Sequence, residues 1–196
     1  MACATVENLP ADDRAETVHR MATHIAFLRA INLGKSRRVP MTELKETLTA
    51  AGFTDVETYL ATGNVRVASP KRSRWAVERA IETTLATSTG FDVPTVAVSP
   101  TDLATLLDDA VKLDVDAQRR YVTFLKDEPA ADLAAELDAW QAPGEGARVL
   151  GRAVFWWIDH PNAAAKMSNA RIQKQLDTAT TRDLKVVTTL VERWCS

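Results

Sequence analysis

The sequence is poor in cysteine and contains no long apolar run. Its two cysteines, Cys3 and Cys195, lie near opposite ends of the 196 residues, so we expect no disulfide framework. No stretch approaches the roughly 18 apolar residues that a membrane span requires. The N-terminus lacks a basic start followed by an apolar core, which disfavours a signal peptide. These absences favour a globular protein of the cytoplasm.

A strong excess of positive charge is also missing. Residues 21–100 hold 10 Lys and Arg against 7 Asp and Glu, and residues 101–196 hold 12 against 15. A protein that grips duplex DNA mainly through its phosphates needs a larger basic excess. We therefore expect no duplex DNA partner, whereas a local anion site is compatible with these numbers.

Catalytic and metal-binding patterns are absent as well. The three histidines, His19, His24 and His160, show no metal-ligand spacing with cysteines or carboxylates. No G-x-S-x-G motif locates a nucleophilic serine, and the penultimate Cys195 is a poor position for a catalytic thiol. We expect no metal and no cofactor, and the sequence favours a protein that is not an enzyme.

The order of elements in the first half indicates one fold unit. Residues 1–20 are polar without a sustained period, and we interpret them as a mobile N-terminal extension, with a short helix over 11–19 as the alternative. Residues 23–99 read strand, helix, strand, strand, helix, strand. This order is typical of the ferredoxin-like, split βαβ arrangement.

The second half repeats this order with one element missing. A strand over 119–127, a helix, a strand pair and a helix over 168–176 can be read from the hydrophobic pattern, but no clear fourth strand follows, and a closing helix ends the chain. We predict an α+β fold of two ferredoxin-like units (α/β plaits) in tandem. The predicted units are residues 21–110 and residues 111–196, the second lacking a clear fourth strand and ending in the C-terminal helix.

The stretch GKS at 34–36 matches the last three residues of a phosphate-binding loop. A Walker-type loop requires G-x-x-x-x-G-K-[ST], and here the position of the first glycine is occupied by Arg29. The helix of such a loop starts at the lysine. In this chain Pro40 lies four residues after Ser36, and the residue before a proline disfavours helix. We conclude that the motif is not a P-loop.

The same loop nevertheless belongs to a candidate anion site. Strands 1 and 2 of a split βαβ unit run parallel, so the loop after strand 1 meets the hairpin loop between strands 2 and 3 at one end of the sheet. Cationic, amide and hydroxyl groups would gather there. The residues concerned are Arg29, Asn32, Gly34, Lys35, Arg37, Arg38, Tyr59, Thr62, Gly63 and Asn64. Lys71, Arg72 and Arg74 fall at the opposite end. The alternative is an ordinary solvated loop without a ligand.

Three short blocks resemble a known family. The chain reads LRAINLG at 28–34, GF at 52–53 and YLATGNV at 59–65. These blocks resemble the L-R-G-I-N-V-G, G-F and Y-x-x-S-G-N-V blocks of the bacterial family called domain of unknown function 1697. The resemblance is strong over residues 23–69 and loose elsewhere. It implies two ferredoxin-like units and supplies no activity. It also singles out Arg29, Asn32, Gly34, Tyr59, Gly63 and Asn64.

Two positions depart from that family's pattern. Ala30 stands where members usually have glycine. Members also carry a T-x-R-N-W-N-T-like block near the C-terminus, of which this chain keeps Thr181 and Arg182 but has DLK at 183–185. The resemblance therefore adds Arg182 to the candidate ligand-binding residues, in a modified site. The alternative is that Thr180 and Thr181 cap a helix.

The segment AVFWWID carries large aromatic residues on both faces of a strand. By alternation, Val154, Trp156 and Ile158 share one face. Phe155 and Trp157 share the other. Both faces should then be covered, either by the sister unit or by a second subunit. Base stacking, as in an RNA-recognition fold, is the weaker alternative because the basic and aromatic signature of that fold is absent.

Three function hypotheses follow. The first is binding of a small anionic ligand, a nucleotide or single-stranded RNA, at the edge formed by residues 29–38 and 59–64. The second is an enzyme that acts on a small phosphorylated or acyl substrate, with Tyr59 as proton donor. The third is a dimerising structural or interaction module that uses the strand over 154–158 and forms a homodimer.

Overall fold

Two antiparallel sheets organise the chain. The structure is a computed structural model, and it describes residues 21–34, 37–160, 165–176 and 178–195. The predicted N-terminal extension lies outside these residues. The elements in chain order are β1 (Ala22–Leu28), α1 (Met41–Ala50), β2 (Thr54–Tyr59), β3 (Asn64–Ser69), α2 (Arg74–Thr89), β4 (Thr95–Val98), α3 (Pro100–Lys112), β5 (Arg119–Leu125), α4 (Ala131–Ala139), β6 (Gln141–Ala142), β7 (Glu145–Val149), β8 (Ala153–Ile158), α5 (Asn169–Gln175), β9 (Ala179–Asp183) and α6 (Leu184–Trp194).

The first sheet has the strand order β2-β3-β1-β4, which is that of a ferredoxin-like unit. Strand β1 pairs antiparallel with both β3 and β4, and Phe27 lies opposite Asn64 in the β1–β3 register. The end of β1 and the start of β3 therefore lie at the same end of the sheet. This arrangement confirms the predicted fold class for the first unit.

Helices α1 and α2 cover one face of the first sheet. Leu44 and Leu48 of α1 are buried there, as are Val77, Ile81 and Leu85 of α2. Both sets recur every four residues, so each helix presents one apolar stripe to the sheet. Burying a side chain of this kind stabilises the fold by about 1.5–3 kcal/mol.

The second sheet has the order β6-β7-β8-β5-β9 and contains the strand that the sequence pattern does not reveal. Strand β9 pairs antiparallel with β5, with Thr181 opposite Thr123. Their hydroxyl oxygens are 2.8 Å apart. The second unit therefore has its fourth strand, which corrects the prediction. The sequence of β9, ATTRD, shows no apolar alternation from which a strand could be predicted. Its inward polar residues are instead satisfied by hydrogen bonds.

The cap of α6 is also different from the predicted one. Thr180 and Thr181 belong to β9 and do not cap the helix. Asp183 is the N-cap residue, and its carboxylate accepts a hydrogen bond from the backbone N–H of Lys185 at 2.8 Å.

The two sheets pack face to face and share one core. The rings of Phe27 on β1 and Phe124 on β5 stack with centroids 3.8 Å apart and planes inclined by 13°. Helices α3 and α6 complete this core with apolar side chains that include Leu103, Leu107 and Trp194. The layers are therefore α1 and α2, the first sheet, the shared core with α3 and α6, the second sheet, and finally α4 and α5.

The aromatic strand β8 is covered on both faces by its own chain. Phe155 and Trp157 face the core between the sheets. Trp156 faces α4 and α5, and its indole N–H donates to the hydroxyl of Thr123 at 2.9 Å. Packing against the sister unit is confirmed. Both faces of β8 are thus covered within the described part of the chain, with Trp157 half-buried.

Among the described residues, no helix is both long enough and apolar enough to cross a bilayer.

Shortening Phe124 tests whether the two sheets unfold together. Phe124→Ala leaves a cavity in the shared core and should lower the free energy of unfolding by about 3–5 kcal/mol. Urea unfolding, followed by circular dichroism and by tryptophan fluorescence, should still show a single transition. Leu113→Ala, at an exposed side chain, is the control and should change stability by about 0.5 kcal/mol or less. Two separated transitions in Phe124→Ala would contradict a shared core.

Candidate functional site

Two loops meet at one end of the first sheet, as the parallel course of β1 and β2 predicts. The backbone N–H of Leu28 donates to the carbonyl of Gly63 at 2.8 Å, which joins the end of β1 to the hairpin loop. We call the surface formed by residues 29–34, 37–40 and 60–63 the platform. Lys35, a predicted site residue, lies outside the described residues.

The side chain of Asn32 links the two loops of the platform by hydrogen bonds. Its side-chain amide donates to the carbonyls of Ala61 at 2.7 Å and Val39 at 3.1 Å. Its side-chain oxygen accepts from the backbone N–H of Val39 at 2.8 Å. Each polar atom of this side chain thus holds backbone in place. Asn32 builds the platform, and whether it also contacts a ligand stays a prediction.

Left-handed backbone conformations concentrate on the platform. Three non-glycine residues there have positive φ: Ala30 at 57°, Asn32 at 55° and Leu60 at 58°. For Ala30 and Leu60 this conformation costs about 1–2 kcal/mol per residue, whereas asparagine adopts it more readily. Strain of this kind persists only where the surroundings impose it, and it is common at functional sites. The positive φ of Ala30 also explains why the family that the sequence resembles usually has glycine at this position.

Gly63 is required by a close approach of backbone to side chains. It has φ of 82°, and a Cβ placed on it would lie 2.8 Å from Cβ of Leu28 and 2.9 Å from Cδ1 of Ile31. Both contacts are shorter than atoms tolerate, so any larger residue would push the hairpin loop away from β1. Gly34 differs, because a Cβ there would meet nothing within 4 Å and only its φ of 67° favours glycine.

Arg182 on β9 reaches across to the platform from the second sheet. Its side chain is buried, with 7% exposed. Nε donates to the side-chain oxygen of Asn64 at 2.6 Å. Nη2 donates to the carbonyls of Leu28 at 3.0 Å, Thr62 at 2.9 Å and Gly63 at 3.2 Å. A single guanidinium therefore fixes the end of β1 and the whole hairpin loop.

The remaining contacts of Arg182 are also with neutral groups. Nη1 donates to the hydroxyl of Thr180 and to the carbonyl of Thr181, both at 2.8 Å. Its Cζ lies 5.6 Å from the centroid of the Phe27 ring. Among the described residues, no carboxylate forms an ion pair with it. Burial lowers the pKa of Arg182 to about 10, so the group stays charged at neutral pH.

Asn64 is fully buried and points inward. Its side-chain amide donates to the carbonyl of Tyr59 at 2.8 Å and to the hydroxyl of Thr62 at 3.1 Å, while its oxygen accepts from Arg182. The predicted site residues Asn64 and Arg182 are therefore brought together, but as the interior support of the platform. Thr62 is exposed on its surface.

The platform carries a cleft of about 620 Å³. Its lining consists of Asn32, Gly34, Arg38, Val39, Pro40, Met41 and Ala61. Helix α1 starts at this cleft, and its N-cap Pro40 has no side chain that can cap the first turn. The exposed leucines Leu33 and Leu60 lie on the same two loops, with 64% and 48% of each residue exposed. The volume is within the range of small-molecule sites.

Arg29 and Arg37 do not line this cleft. Arg29 is half-buried after β1, and its backbone N–H donates to the carbonyl of Pro94 at 2.9 Å. Arg37 donates to the carbonyl of Asp92, and its guanidinium carbon lies 4.6 Å from the centroid of the Phe91 ring. The structure thus uses Arg37 to fasten the platform to the loop between α2 and β4.

Tyr59 lies on the other face of the sheet. Its ring packs against the shared core, and the guanidinium carbon of Arg193 on α6 is 5.3 Å from the ring centroid. The cleft residues Val39 and Met41 belong instead to the face covered by α1 and α2. The structure therefore separates Tyr59 from the cleft.

The sequence reasoning missed the part played by Pro40, Met41 and Ala61. The proline before an apolar-periodic segment did signal a helix start, and the absence of Ser, Thr, Asp or Asn there signals an uncapped one. No sequence signal marks Ala61, because its part in the platform is a backbone carbonyl.

A second polar cluster surrounds the buried carboxylate of Glu145. It accepts hydrogen bonds from the backbone N–H of Met167 at 2.6 Å and of Lys166 at 3.0 Å, and it lies 2.7 Å from Nε2 of His160. Burial acts to raise the pKa of Glu145, but these three hydrogen bonds outweigh it and lower the pKa. The cluster holds backbone in place. Within the described ranges, no three His, Cys, Asp or Glu residues are grouped to hold a metal ion.

Comparison with known proteins identifies the family. The family described as protein of unknown function, DUF1697, matches residues 21–155. The chain belongs to the DUF1697 family. A conserved bacterial protein, SP0830 from Streptococcus pneumoniae, has a similar solved structure, with a TM-score of 0.74 and 22% sequence identity over 90% of this chain and 99% of that one. This likeness shows the fold of the DUF1697 protein. No curated protein matches the chain.

Removing the guanidinium of Arg182 should strongly destabilise the DUF1697 protein. Arg182→Met fills much of the volume but removes the donor to the buried side-chain oxygen of Asn64 and the donor to the carbonyl of buried Leu28. We expect the free energy of unfolding to fall by about 3 kcal/mol or more, measured by urea denaturation. Arg72→Met, at an exposed arginine that follows β3, is the control. A loss as small as that of the control would show that the contacts of Arg182 do not support the platform.

Replacing Ala30 by glycine should stabilise the protein. Glycine removes the cost of a positive φ but adds freedom to the unfolded chain, so we expect a net gain of about 1 kcal/mol or less in the free energy of unfolding. Ala61→Gly is the matched control, because Ala61 lies on the same platform without a positive φ, and it should destabilise. Thermal unfolding that shifts in the same direction for both variants would contradict the strain at Ala30.

Proposed function

We propose that this DUF1697 protein binds a small anionic ligand of nucleotide size in the platform cleft. One observation carries the proposal. The cleft combines the exposed guanidinium of Arg38 with the uncapped start of α1, on a loop system whose interior support is the charged Arg182. Cationic groups and helix starts are the features with which proteins hold phosphate and carboxylate groups.

The start of α1 supports an anion because its first backbone N–H groups have no partner within the helix. The aligned peptide dipoles place about half a positive charge at that end. Pro40 supplies no side-chain acceptor to these groups. Glu43 is acidic and lies in the first turn, but it is exposed and does not line the cleft.

The buried positive charge of Arg182 favours an anion on the platform from the interior side. Its charge is buried among neutral acceptors, in a region where the dielectric constant is lower than in water. A buried charge without a counter-ion is costly. An anion on the platform would lower that cost, because Arg182 contacts the carbonyl of Thr62 on the same hairpin loop that lines the cleft.

A small ligand fits the platform better than single-stranded RNA does. Proteins that bind single strands expose aromatic side chains on which bases stack. The large exposed side chains of the platform are the aliphatic Leu33 and Leu60. The aromatic residues of β8 are covered by the chain itself.

Binding without chemistry is favoured over an enzymatic reaction. Tyr59, the candidate proton donor, lies on the face of the sheet away from the cleft. We place the binding function in the cytoplasm, because the scarcity of cysteine suits a reducing compartment.

The proposal is tested with anions that carry no nucleobase. Pyrophosphate and citrate are titrated into the full chain and into Arg38→Gln, with heat of binding as the readout. Loss of a charge-assisted hydrogen bond should weaken binding about tenfold or more. Arg72→Gln, at the opposite end of the same sheet, is the matched control and should bind like the unaltered protein.

Two results would refute the proposal. One is equal affinity of Arg38→Gln and Arg72→Gln for both anions. The other is the absence of binding by either anion at concentrations of about 10 mM, since affinities weaker than this are below those of specific small-ligand sites. Raising the salt concentration should also weaken a genuine complex, because salt screens exposed charges.

A further inference from the structure

The start of α2 exposes a tryptophan at the end of the first sheet opposite the platform. Trp75 is 50% exposed, whereas Trp156 and Trp194 are buried. In the described part of the chain, none of the other large exposed hydrophobic residues is aromatic. An aromatic surface that faces solvent is a place where a planar ligand can stack.

Trp75 borders a cleft of about 680 Å³. Its lining consists of Lys71, Ser73, Trp75, Ala76, Arg79, Ala80, Thr83 and Thr84. This set contains two cations, three hydroxyl groups and no acidic side chain. We call it the Trp75 cleft. An aromatic ring beside cations and hydroxyl groups matches a ligand that is planar at one end and anionic at the other.

The indole of Trp75 is held in place from behind. The guanidinium carbon of Arg74 lies 3.8 Å from the ring centroid. Arg74 is itself fixed, because it donates to the carbonyl of Lys126 at 2.7 Å and lies 3.5 Å from Glu78 and 3.6 Å from Asp127. Arg74 does not line the cleft, so the ring presents its remaining surface there. A ring with few free orientations loses little entropy when a ligand stacks on it.

The spacing along α2 suits such a ligand. Trp75, Arg79 and Thr83 follow one another every four residues and so lie along one face of the helix. Four residues correspond to about 6 Å along the axis. A nucleoside phosphate is long enough to contact Trp75 with its base and Arg79 with its phosphate.

We propose that the Trp75 cleft binds a nucleobase joined to a phosphate, either as a free nucleoside monophosphate or as the terminal nucleotide of a single strand. The base stacks on Trp75, and the phosphate pairs with Lys71 and Arg79. The hydroxyl group of Thr83, one helical turn beyond Arg79, lies on the phosphate side of the site. This site is independent of the platform, because it lies at the other end of the sheet and has a different lining.

The experiment compares three probes by titration calorimetry on the full chain carrying Arg38→Gln, so that anion binding at the platform adds little to the signal. AMP carries both parts of the ligand, ribose 5-phosphate lacks the base, and adenosine lacks the phosphate. We expect AMP to bind at least about tenfold more tightly than either fragment, since base stacking and phosphate pairing each contribute that much or more. Trp75→Leu should weaken AMP binding about tenfold or more, and Trp75→Phe should weaken it less because it keeps an aromatic ring.

The platform provides the internal control. Arg38→Gln should leave AMP binding at the Trp75 cleft unchanged, and Trp75→Leu should leave pyrophosphate binding unchanged. Because Trp75 and Arg79 are exposed, their variants should keep the unfolding midpoint of the parent protein. If Trp75→Leu nonetheless fails to fold, Arg79→Gln tests the same site through the phosphate and should also weaken AMP binding about tenfold.

A 5′-phosphorylated tetranucleotide distinguishes the two sources of the ligand. Tighter binding than AMP indicates the end of a strand, and weaker binding indicates a free nucleotide, and both support the site. AMP that binds no more tightly than ribose 5-phosphate would overturn the proposal. So would an AMP affinity that is the same in Trp75→Leu and in the parent protein.

Discussion

The guanidinium of Arg182 is the contact on which the geometry of the platform depends. The side chain extends from β9 of the second sheet toward the first unit. There it donates to the side chain of Asn64 and to the carbonyls of Leu28 and Gly63. A buried cation with neutral partners is tolerated only when its donors are all used, because each unmet polar group costs about 1–3 kcal/mol. Correct placement of the hairpin loop is therefore a condition of the sheet packing itself.

This constraint gives the platform a rigid shape at the expense of local strain. Ala30 and Leu60 keep left-handed backbone conformations because Asn32 and Arg182 hold the surrounding carbonyls. A rigid surface binds a small ligand without a large ordering cost. At the other end of the sheet, the side chain that borders the Trp75 cleft is also held in place, because Arg74 packs against the indole. The two ends of one sheet thus carry surfaces with different side chains, each fixed by neighbouring residues.

Most of the fold could be predicted because apolar patterning reports burial. The first unit and its loop junction follow from the strand order, since parallel β1 and β2 bring residues 29–34 and 60–63 together. The two covered faces of β8 follow from large side chains at alternating positions. The family likewise follows from short blocks in the first unit. Strand β9 was not predicted because two of its three buried residues, Thr180 and Arg182, are polar, and only the small Ala179 is apolar.

The sequence by itself determined the strands and helices of the first unit and which of its loops meet, whereas strand β9 became visible only in the tertiary structure. The tertiary structure alone decided the direction of the polar side chains. Asn64 and Arg182 have side chains of the kind that often bind ligands, but here they are buried and hydrogen-bond to each other. Arg38, in contrast, lines the cleft. Tyr59 falls on the opposite face of the sheet. The physical reason is that hydrophobic periodicity specifies what is buried, while the partner of a polar group depends on atoms that are distant in the chain.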